Sequence, residues 1–387
     1  MIEAIPVAGR SLVCMLMCLG VSESVLERQG VDSRKDMAVF SNEWMEEFGS
    51  GALGCAGSAI DAYEWRNAGY GSNINFLTIV WANAMMAGRQ DLAVVVRTDE
   101  WFPRTICNVT SNGEETRGWP CFFAEVPHLC AFDADQDWIQ YNRLQNVSVS
   151  DLRDASSRKG LKYVRRHLSS TRASFQSMRI DPMNVLAMLV DHLHSYLQPW
   201  FKADIQRILD EPDIAEIRNG KYVGMHIRRT DKANEIKLTK TEVYFRKVAQ
   251  YLRSSPGGLR AADITGLWLS TDEVSVFNEV KRLVPRYFPN VKPSAVIFVS
   301  GRVTVRAMPP GLANQDGQRD RNTYEAMVLL KAELDMLAGA TVFVGTYSSN
   351  MGRLLALMRR SLNKPDKSAL STDRPSWFLG RKRRVRK

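Results

Sequence analysis

Tyr222 to Lys232 reads YVGMHIRRTDK, and this stretch decides the fold. Its first six residues, Tyr222 to Ile227, form an almost unbroken apolar run. Four of the next five, Arg228, Arg229, Asp231 and Lys232, are charged. A short continuous apolar run without alternation is the pattern of a strand covered on both faces. Outward from it the pattern switches regularly. Thr241 to Arg253 reads as a helix, Gly266 to Ser270 (GLWLS) as a strand, and Glu273 to Leu283 as a helix. Ala295 to Val299 is a third strand and Thr323 to Ala338 a helix. Thr341 to Gly345 is a fourth strand, and a helix from Asn350 to Arg360 follows. Strands alternating with helices imply an α/β protein with a doubly wound parallel sheet.

Open parallel sheets bind ligands beyond the carboxyl ends of their strands, near the point where strand order reverses. Each such end is polar here. The first carries His226, Arg228, Arg229, Asp231 and Lys232; the planar guanidinium forks match phosphate oxygens. The second carries Thr271, Asp272 and Glu273. The last, Thr346-Tyr347-Ser348-Ser349-Asn350, opens a helix, where hydroxyls and free backbone N–H groups form an anion site. Taken singly, Thr271 or Asp272 would equally cap a helix, as would Ser348 or Ser349. Arg228, Arg229 and Asp231 would equally make a surface ion-pair cluster, and His226 a satisfied core histidine. Taken together they describe a site for a diphosphate ligand with hydroxyl chemistry beside it. No Asp-x-Asp metal clamp follows a strand, so arginine is expected to neutralise the phosphates, with no metal and no cofactor.

The chain has 387 residues, enough for two domains, with 45% hydrophobic and 24% charged residues, which excludes wholesale disorder. The net charge is +10, but Arg381 to Lys387 hold six basic side chains, so a solvated tail accounts for much of it. Nucleic acid is accordingly not an expected partner. Arg10 precedes an eleven-residue apolar stretch, Ser11 to Val21, with the proportions of a signal-peptide core or short anchor. Sequons at Asn108 and Asn146 and four further cysteines, Cys55, Cys107, Cys121 and Cys130, fit a secretory route; three connectivities are open. Asp32 to Phe48 and Ile74 to Ala87 have helical patterns, and Asp91 to Arg97 reads as a buried strand. Trp101 to Asp137 reads as loop. Ile180 to Glu211 reads as mostly helical, broken at Pro199.

These residues resemble a family. His226, Arg228, Arg229, Asp231 and Lys232 stand in the H-x-R-R-x-D-K pattern of the α-1,6-fucosyltransferases, which include the animal core fucosyltransferase and bacterial enzymes acting on nodulation factors. Gly69-Tyr70-Gly71-Ser72-Asn73 is similar to that family's glycine loop, and Gly118-Trp119 to its Gly-Trp segment. Gln198-Pro199-Trp200 resembles its Gln-Pro-Trp helix, Thr271-Asp272-Glu273 its acidic pair, and Thr346 to Asn350 its Ser-Ser turn. The resemblance spans about residues 65 to 360.

The resemblance implies a two-domain glycosyltransferase of the GT-B type. Residues 1–31 would be the signal-like or anchor segment and 32–212 an open α/β domain. Residues 213–364 would be a Rossmann-type GDP-sugar domain, and 365–387 a basic tail. It implies GDP-fucose as donor, held by Gly69, Tyr70, His226, Arg228, Arg229, Asp231, Glu333, Ser348, Ser349 and Asn350. His226 and Glu333 would contact guanine and Arg228 the β-phosphate. Glu235 would be the general base with Lys232 as partner, and Asp272 and Glu273 would orient the acceptor. The segment from Asp231 to Glu235 is one residue shorter than in the animal enzyme, and glycines at 345 and 352 replace a cysteine pair. The acceptor is expected to be a glycan or glycoprotein, in the Golgi or secretory pathway, with membrane attachment through the N-terminal segment. A fucosyltransferase for protein hydroxyls or another linkage, and an inactive relative acting as a binding or scaffold protein, stay open.

Overall fold

The computed structural model describes residues 61–64, 70–86, 92–96, 106–109, 115–124, 126, 129–133, 182–229, 238–255, 258–297 and 324–373. The apolar segment at 11–21, the expected helix at 32–48, Asn146 and the basic tail from 381 lie outside them. Two compact units divide the chain. One is Met1–Gly69, Asn73–Pro103 and Phe123–Tyr196; the other is Tyr70–Ser72, Arg104–Phe122 and Leu197–Lys387.

The elements of the N-terminal half are β1 (Asp61–Glu64), α1 (Tyr70–Met86), β2 (Leu92–Val96), β3 (Ile106–Val109), β4 (Glu115–Arg117), β5 (Leu129–Asp133) and α2 (Pro182–Ser195). Strands β1, β2 and β5 form a parallel sheet in the order β1-β2-β5, while β3 and β4 pair antiparallel. The stretch from 101 to 137, expected as loop, thus holds three strands. Each is short and none alternates, so periodicity could not find them. Cys121, in a single 3-10 turn after β4, is disulfide-bonded.

α3 (Pro199–Leu209) starts on the proline that was expected to break the helix; the ring lacks only an N–H that a first helical residue leaves unpaired anyway. The Gln-Pro-Trp segment meets the Gly-Trp segment here. Gln198 Nε2 donates to the Pro120 carbonyl at 2.9 Å and Trp200 Nε1 to the Cys121 carbonyl at 3.3 Å. These two motifs hold each other.

After α4 (Pro212–Asn219) the regular part begins. It comprises β6 (Tyr222–Ile227), α5 (Thr241–Arg253), β7 (Gly266–Thr271), α6 (Val274–Tyr287), β8 (Val296–Ile297), α7 (Tyr324–Gly339), β9 (Val342–Gly345), α8 (Asn350–Ser361) and β10 (Ala369–Ser371). The five strands are parallel in the order β10-β9-β6-β7-β8. The α/β expectation and the parallel sheet are what the structure has. β10 is a correction: it falls where a tail was expected, and its three half-buried residues carry no apolar run.

Side-chain alternation sorts the sheet's faces. Val223, Met225 and Ile227 of β6, Leu267 and Leu269 of β7, and Val342 and Val344 of β9 join Tyr244, Phe245 and Val248 of α5 and Val276, Val280 and Val284 of α6 in one core. The intervening residues face α7: Tyr222 donates its hydroxyl to the Met336 carbonyl at 2.7 Å, and a Cβ on Gly224 would lie 3.0 Å from Ala340. α6 runs one turn past its expected end despite Pro285, because Phe245 packs on Tyr287 and Phe288 and Tyr287 bonds Glu242.

Candidate functional site

From β6 the chain builds outward through β7 to β8, then returns on β6's other side with β9 and β10. Strand order therefore reverses between β6 and β9, and the carboxyl ends of those strands flank the expected crevice.

At the tip of β6, His226 continues the α7-facing row. It is paired in register with Ser270 of β7, whose hydroxyl donates to Glu333 of α7 at 3.0 Å. His226 and Glu333 are thus both neighbours of Ser270, although 107 positions in sequence separate them. Both are buried, at 8% and 5% exposure. Burial, reinforced by the Arg228 cation and opposed by Asp272, lowers the His226 pKa to about 4, so the ring is neutral at pH 7. Its Nδ1 is buried without a hydrogen-bond partner. A neutral imidazole and a carboxylate, one end donor and the other acceptor, complement a purine edge that offers both.

Next come the two arginines, and they part company. Arg228 stays on the His226 side, its Nε 4.0 Å from Asp272 Oδ2. Arg229 goes the other way. Its guanidinium bonds both oxygens of Glu279 on α6, at 3.2 and 2.9 Å, and the Thr241 hydroxyl at the start of α5, at 2.5 Å. Thr241 in turn donates to Glu279 at 2.5 Å, and the Arg229 amide donates to Asp272 at 2.8 Å. Burial would raise the Glu279 pKa, but hydrogen bonds from Arg229 and Thr241 and the Arg229 charge outweigh it and hold it low. Arg229 was expected on the donor; its fork is instead committed to a carboxylate. Adjacent residues leaving a strand point to opposite faces, which separates the two guanidinium groups. The clamp walls a cavity of about 530 Å³, lined also by Lys240 and Arg282.

The end of β9 is built differently. Ser349, the residue before α8, is 1% exposed and its hydroxyl has no partner. It caps nothing, so the capping alternative fails for Ser349. Asn350 donates to the Ser72 hydroxyl at 2.6 Å, which brings the glycine loop onto the helix start. A Cβ on Gly71 would lie 3.1 Å from the Met351 Cα, and one on Gly352 2.2 Å from the Thr346 carbonyl, so the close-packed turn leaves no room for a side chain at 352. Tyr70 is buried, and desolvation with Asp335 nearby pushes its hydroxyl pKa up. Beneath the turn lies a residue sequence reasoning missed. Asp373 accepts the Tyr347 amide at 2.9 Å, the Ser348 amide at 3.1 Å and the Ser371 hydroxyl at 2.7 Å. Burial works to raise its pKa, but these bonds from Ser348, Ser371 and Tyr347 lower it. Only the unseen strand β10 puts it there.

Asp272 faces the β6 end through both arginines, whereas the Glu273 carboxylate is engaged by Ser275 on the first turn of α6. Gly69, Asp231, Lys232 and Glu235 lie outside the described residues.

No protein-family model matches the chain, and no curated protein does. Among solved structures the chain is similar to the NodZ α-1,6-fucosyltransferase soaked with GDP-fucose, at 15% identity over 77% of this chain and 92% of that one, with a TM-score of 0.44. Fucosyltransferase NodZ from Bradyrhizobium matches at 16% identity with the same coverage and a TM-score of 0.43. A mutant of Arabidopsis thaliana FUT1 in complex with GDP matches at 11% identity over 90% of this chain and 77% of that one, with a TM-score of 0.45.

Proposed function

We propose that the chain is an inverting glycosyltransferase that moves L-fucose from GDP-fucose to a glycan hydroxyl, α-1,6-linked to N-acetylglucosamine. The observation that supports this reading is that Ser270 links His226 and Glu333 at the end of β6, where Arg228 follows, while the unpartnered Ser349 hydroxyl lies beyond the end of neighbouring β9, with the motifs in the order of the fucosyltransferases they resemble. Guanine presents two adjacent N–H donors, which the Glu333 carboxylate accepts, and acceptors that a neutral His226 serves. Adenine offers no such pair.

The acceptor oxygen attacks the anomeric carbon of fucose as the carbon–oxygen bond to the β-phosphate breaks. The new bond forms on the opposite face, and GDP departs with the bonding electrons. A hydroxyl is a poor nucleophile at neutral pH, so a positioned base contributes ~10²–10⁴-fold; Glu235 takes the proton and Lys232 holds its orientation. Charge grows on the β-phosphate, where Arg228, the Ser349 hydroxyl and the N-terminus of α8 stabilise it. Because Arg229 is engaged by Glu279, this single arginine and one helix start carry the neutralisation without a metal. Asp272 sets the main chain beyond β6 and, with Glu273, orients the acceptor. A disulfide at Cys121 and the N-terminal apolar segment support a Golgi or secretory location, with that segment as membrane attachment.

Purified protein incubated with a panel of sugar nucleotides and candidate glycans tests the reading. GDP released from GDP-fucose, and no release from UDP sugars, is the expected result. Release of UDP, or binding of GDP and UDP with equal affinity, sinks it.

A further inference from the structure

Two helices start against one another beyond the carboxyl end of β9. The first three residues of α1, Tyr70–Ser72, belong with the second unit, as does all of α8. A Cβ on Gly71 would meet the Met351 Cα at 3.1 Å and its amide nitrogen at 3.2 Å, so here one main chain lies directly on the other. Neither helix has an acidic residue in its first turn. Each start carries a partial positive charge, and bringing two together favours an anion beside them. A full cation joins them. Arg353, 8% exposed, is the fourth residue of α8, near the end of a helix that disfavours a guanidinium. The nearby carboxylates are already engaged: Asp335, which lies near Tyr70, pairs with Lys331 at 2.5 Å, and Asp373 accepts the Tyr347 and Ser348 amides.

Hydrogen bonds cross this contact in one direction. Arg353 Nε donates to the Tyr347 carbonyl at 2.8 Å, and its Nη1 donates to Asn350 Oδ1 at 3.2 Å. An arginine donates and never accepts, so the oxygen end of the Asn350 amide must face it and the NH2 end must face away. That NH2 end donates to the Ser72 hydroxyl oxygen at 2.6 Å. Ser72 is thus used as an acceptor, and its own proton has no acceptor among the described residues. Its neighbours Tyr70, Gly71 and Asn73 are buried, whereas Ser72 is partly exposed, so a ligand can reach it. The Ser349 hydroxyl, 1% exposed, is unpartnered at the same helix start.

We propose that Ser72 binds the diphosphate of GDP-fucose through its hydroxyl, and that Arg353 orients that hydroxyl through Asn350. Each bond in such a chain polarises the next, so a guanidinium at one end strengthens the hydroxyl at the other as a donor. A phosphate oxygen is the fitting acceptor, because it brings the negative charge that two helix starts and a buried cation call for. Ser72 is a ligand of the phosphates; Arg353 is a positioning residue and touches no substrate. A second helix start, that of α1, is thereby added to the one already assigned to the β-phosphate.

This role rests on the proposed use of GDP-fucose, and the test separates the two. Calorimetric binding of GDP, guanosine and inorganic pyrophosphate, together with melting temperature, is measured on the full-length chain. Ser72→Ala should weaken GDP and pyrophosphate about tenfold, the scale of a hydrogen bond to a charged group, and leave guanosine unchanged. Ser72→Thr, which keeps the hydroxyl, should restore GDP binding. Arg353→Met removes the first donor and should weaken GDP at least as much as Ser72→Ala. Adding Ser72→Ala to Arg353→Met should then cost almost nothing further, because the hydroxyl is no longer held. If Arg353→Met fails to fold, Asn350→Asp takes its place. The new carboxylate accepts from both neighbours, draws the Ser72 proton inward and should likewise make Ser72→Ala silent. Unchanged GDP binding in Ser72→Ala, an equal loss for guanosine, or a fully additive loss in the double variant would overturn the assignment. A starting protein that binds pyrophosphate through Ser72 but not GDP keeps the anion site and fails the GDP-fucose reading; one that binds neither fails both.

Discussion

The ends of β6 and β9 face the same reversal in strand order, yet they are constructed on opposite principles. Beyond β6 the polar groups are side chains: the Arg228 cation, a neutral His226, and carboxylates just beyond β7 and on α6 that engage the two arginines. Beyond β9 the groups are mostly main chain: the start of a twelve-residue helix, one buried hydroxyl, and a carboxylate at Asp373 that holds the turn from behind. A side chain can be removed by substitution and a helix dipole cannot. Changes at the β6 end should therefore be costly, and changes at the β9 end mild.

The largest expected effect is at Arg228. Arg228→Lys keeps the charge but loses the planar fork, and it should lower transfer ~10²–10³-fold, the scale of losing one preorganised donor at a developing anion. Arg229→Lys should behave otherwise: its melting temperature falls because the Glu279 clamp weakens, while GDP affinity stays close to normal. Chelation should leave turnover intact. If Arg229→Lys costs as much GDP affinity as Arg228→Lys, the division of labour between the two arginines is broken.

His226 gives the next largest effect, read as stability. Its folded pKa is about 4 against an ordinary 6.5, so the folded state favours the neutral ring. As pH falls below 6.5 the unfolded chain takes up this proton first. Stability should then decline between pH 6.5 and 4, by on the order of 3 kcal/mol if no other group compensates. Thermal unfolding across that range checks it: His226→Gln should flatten this part of the profile, and an unchanged slope would show that the imidazole is not held neutral.

The contrast also marks what the sequence makes legible. Tyr222–Ile227 and Thr241–Arg253 are read to the residue, because a doubly covered strand and a one-sided helix each leave an unmistakable apolar pattern. The link of His226 to Glu333 through Ser270, and the bond of Asn350 to Ser72, join motifs whose spacing no local rule connects. β10 is invisible, since three half-buried residues on a sheet edge need no apolar run, and Asp373 is hidden with it. The Arg229–Glu279 pair stands apart for a different reason. Its signal was present in the sequence: a residue one step beyond Arg228 on an extended chain faces the other side, toward Glu279.

Glu333 sharpens the contrast from within the β6 side. Glu333→Gln keeps the bond to Ser270 within reach but presents an amide that satisfies only one of guanine's two N–H donors. GDP affinity should fall ~10-fold, with little change for UDP, because leaving one donor unpaired in a desolvated site costs roughly 1–3 kcal/mol. Thermal shifts with both nucleotides report it. An equal loss for GDP and UDP would move guanine recognition away from α7.

The smallest effect belongs to Asp373. Its carboxylate binds the Tyr347 and Ser348 amides and the Ser371 hydroxyl, and the side chain is exposed, so water can replace it in part. Asp373→Ala frees two amides near the start of α8 without touching the helix dipole or the Ser349 hydroxyl. The turn loosens, and the entropy of ordering it falls on ligand binding. GDP affinity should drop only about threefold, in line with an exposed neutral-donor hydrogen bond worth ~0.5–1.5 kcal/mol at most. Guanosine, which lacks the phosphates, should bind the variant and the starting protein alike, and this comparison ties the effect to the diphosphate. The pKa of Asp373 is lowered in the folded protein, so its contribution is present above the ordinary aspartate range and fades as pH falls through the lower folded value. A hundredfold loss in Asp373→Ala would erase the distinction between the two strand ends, because a side chain would then control the β9 end as firmly as Arg228 controls that of β6.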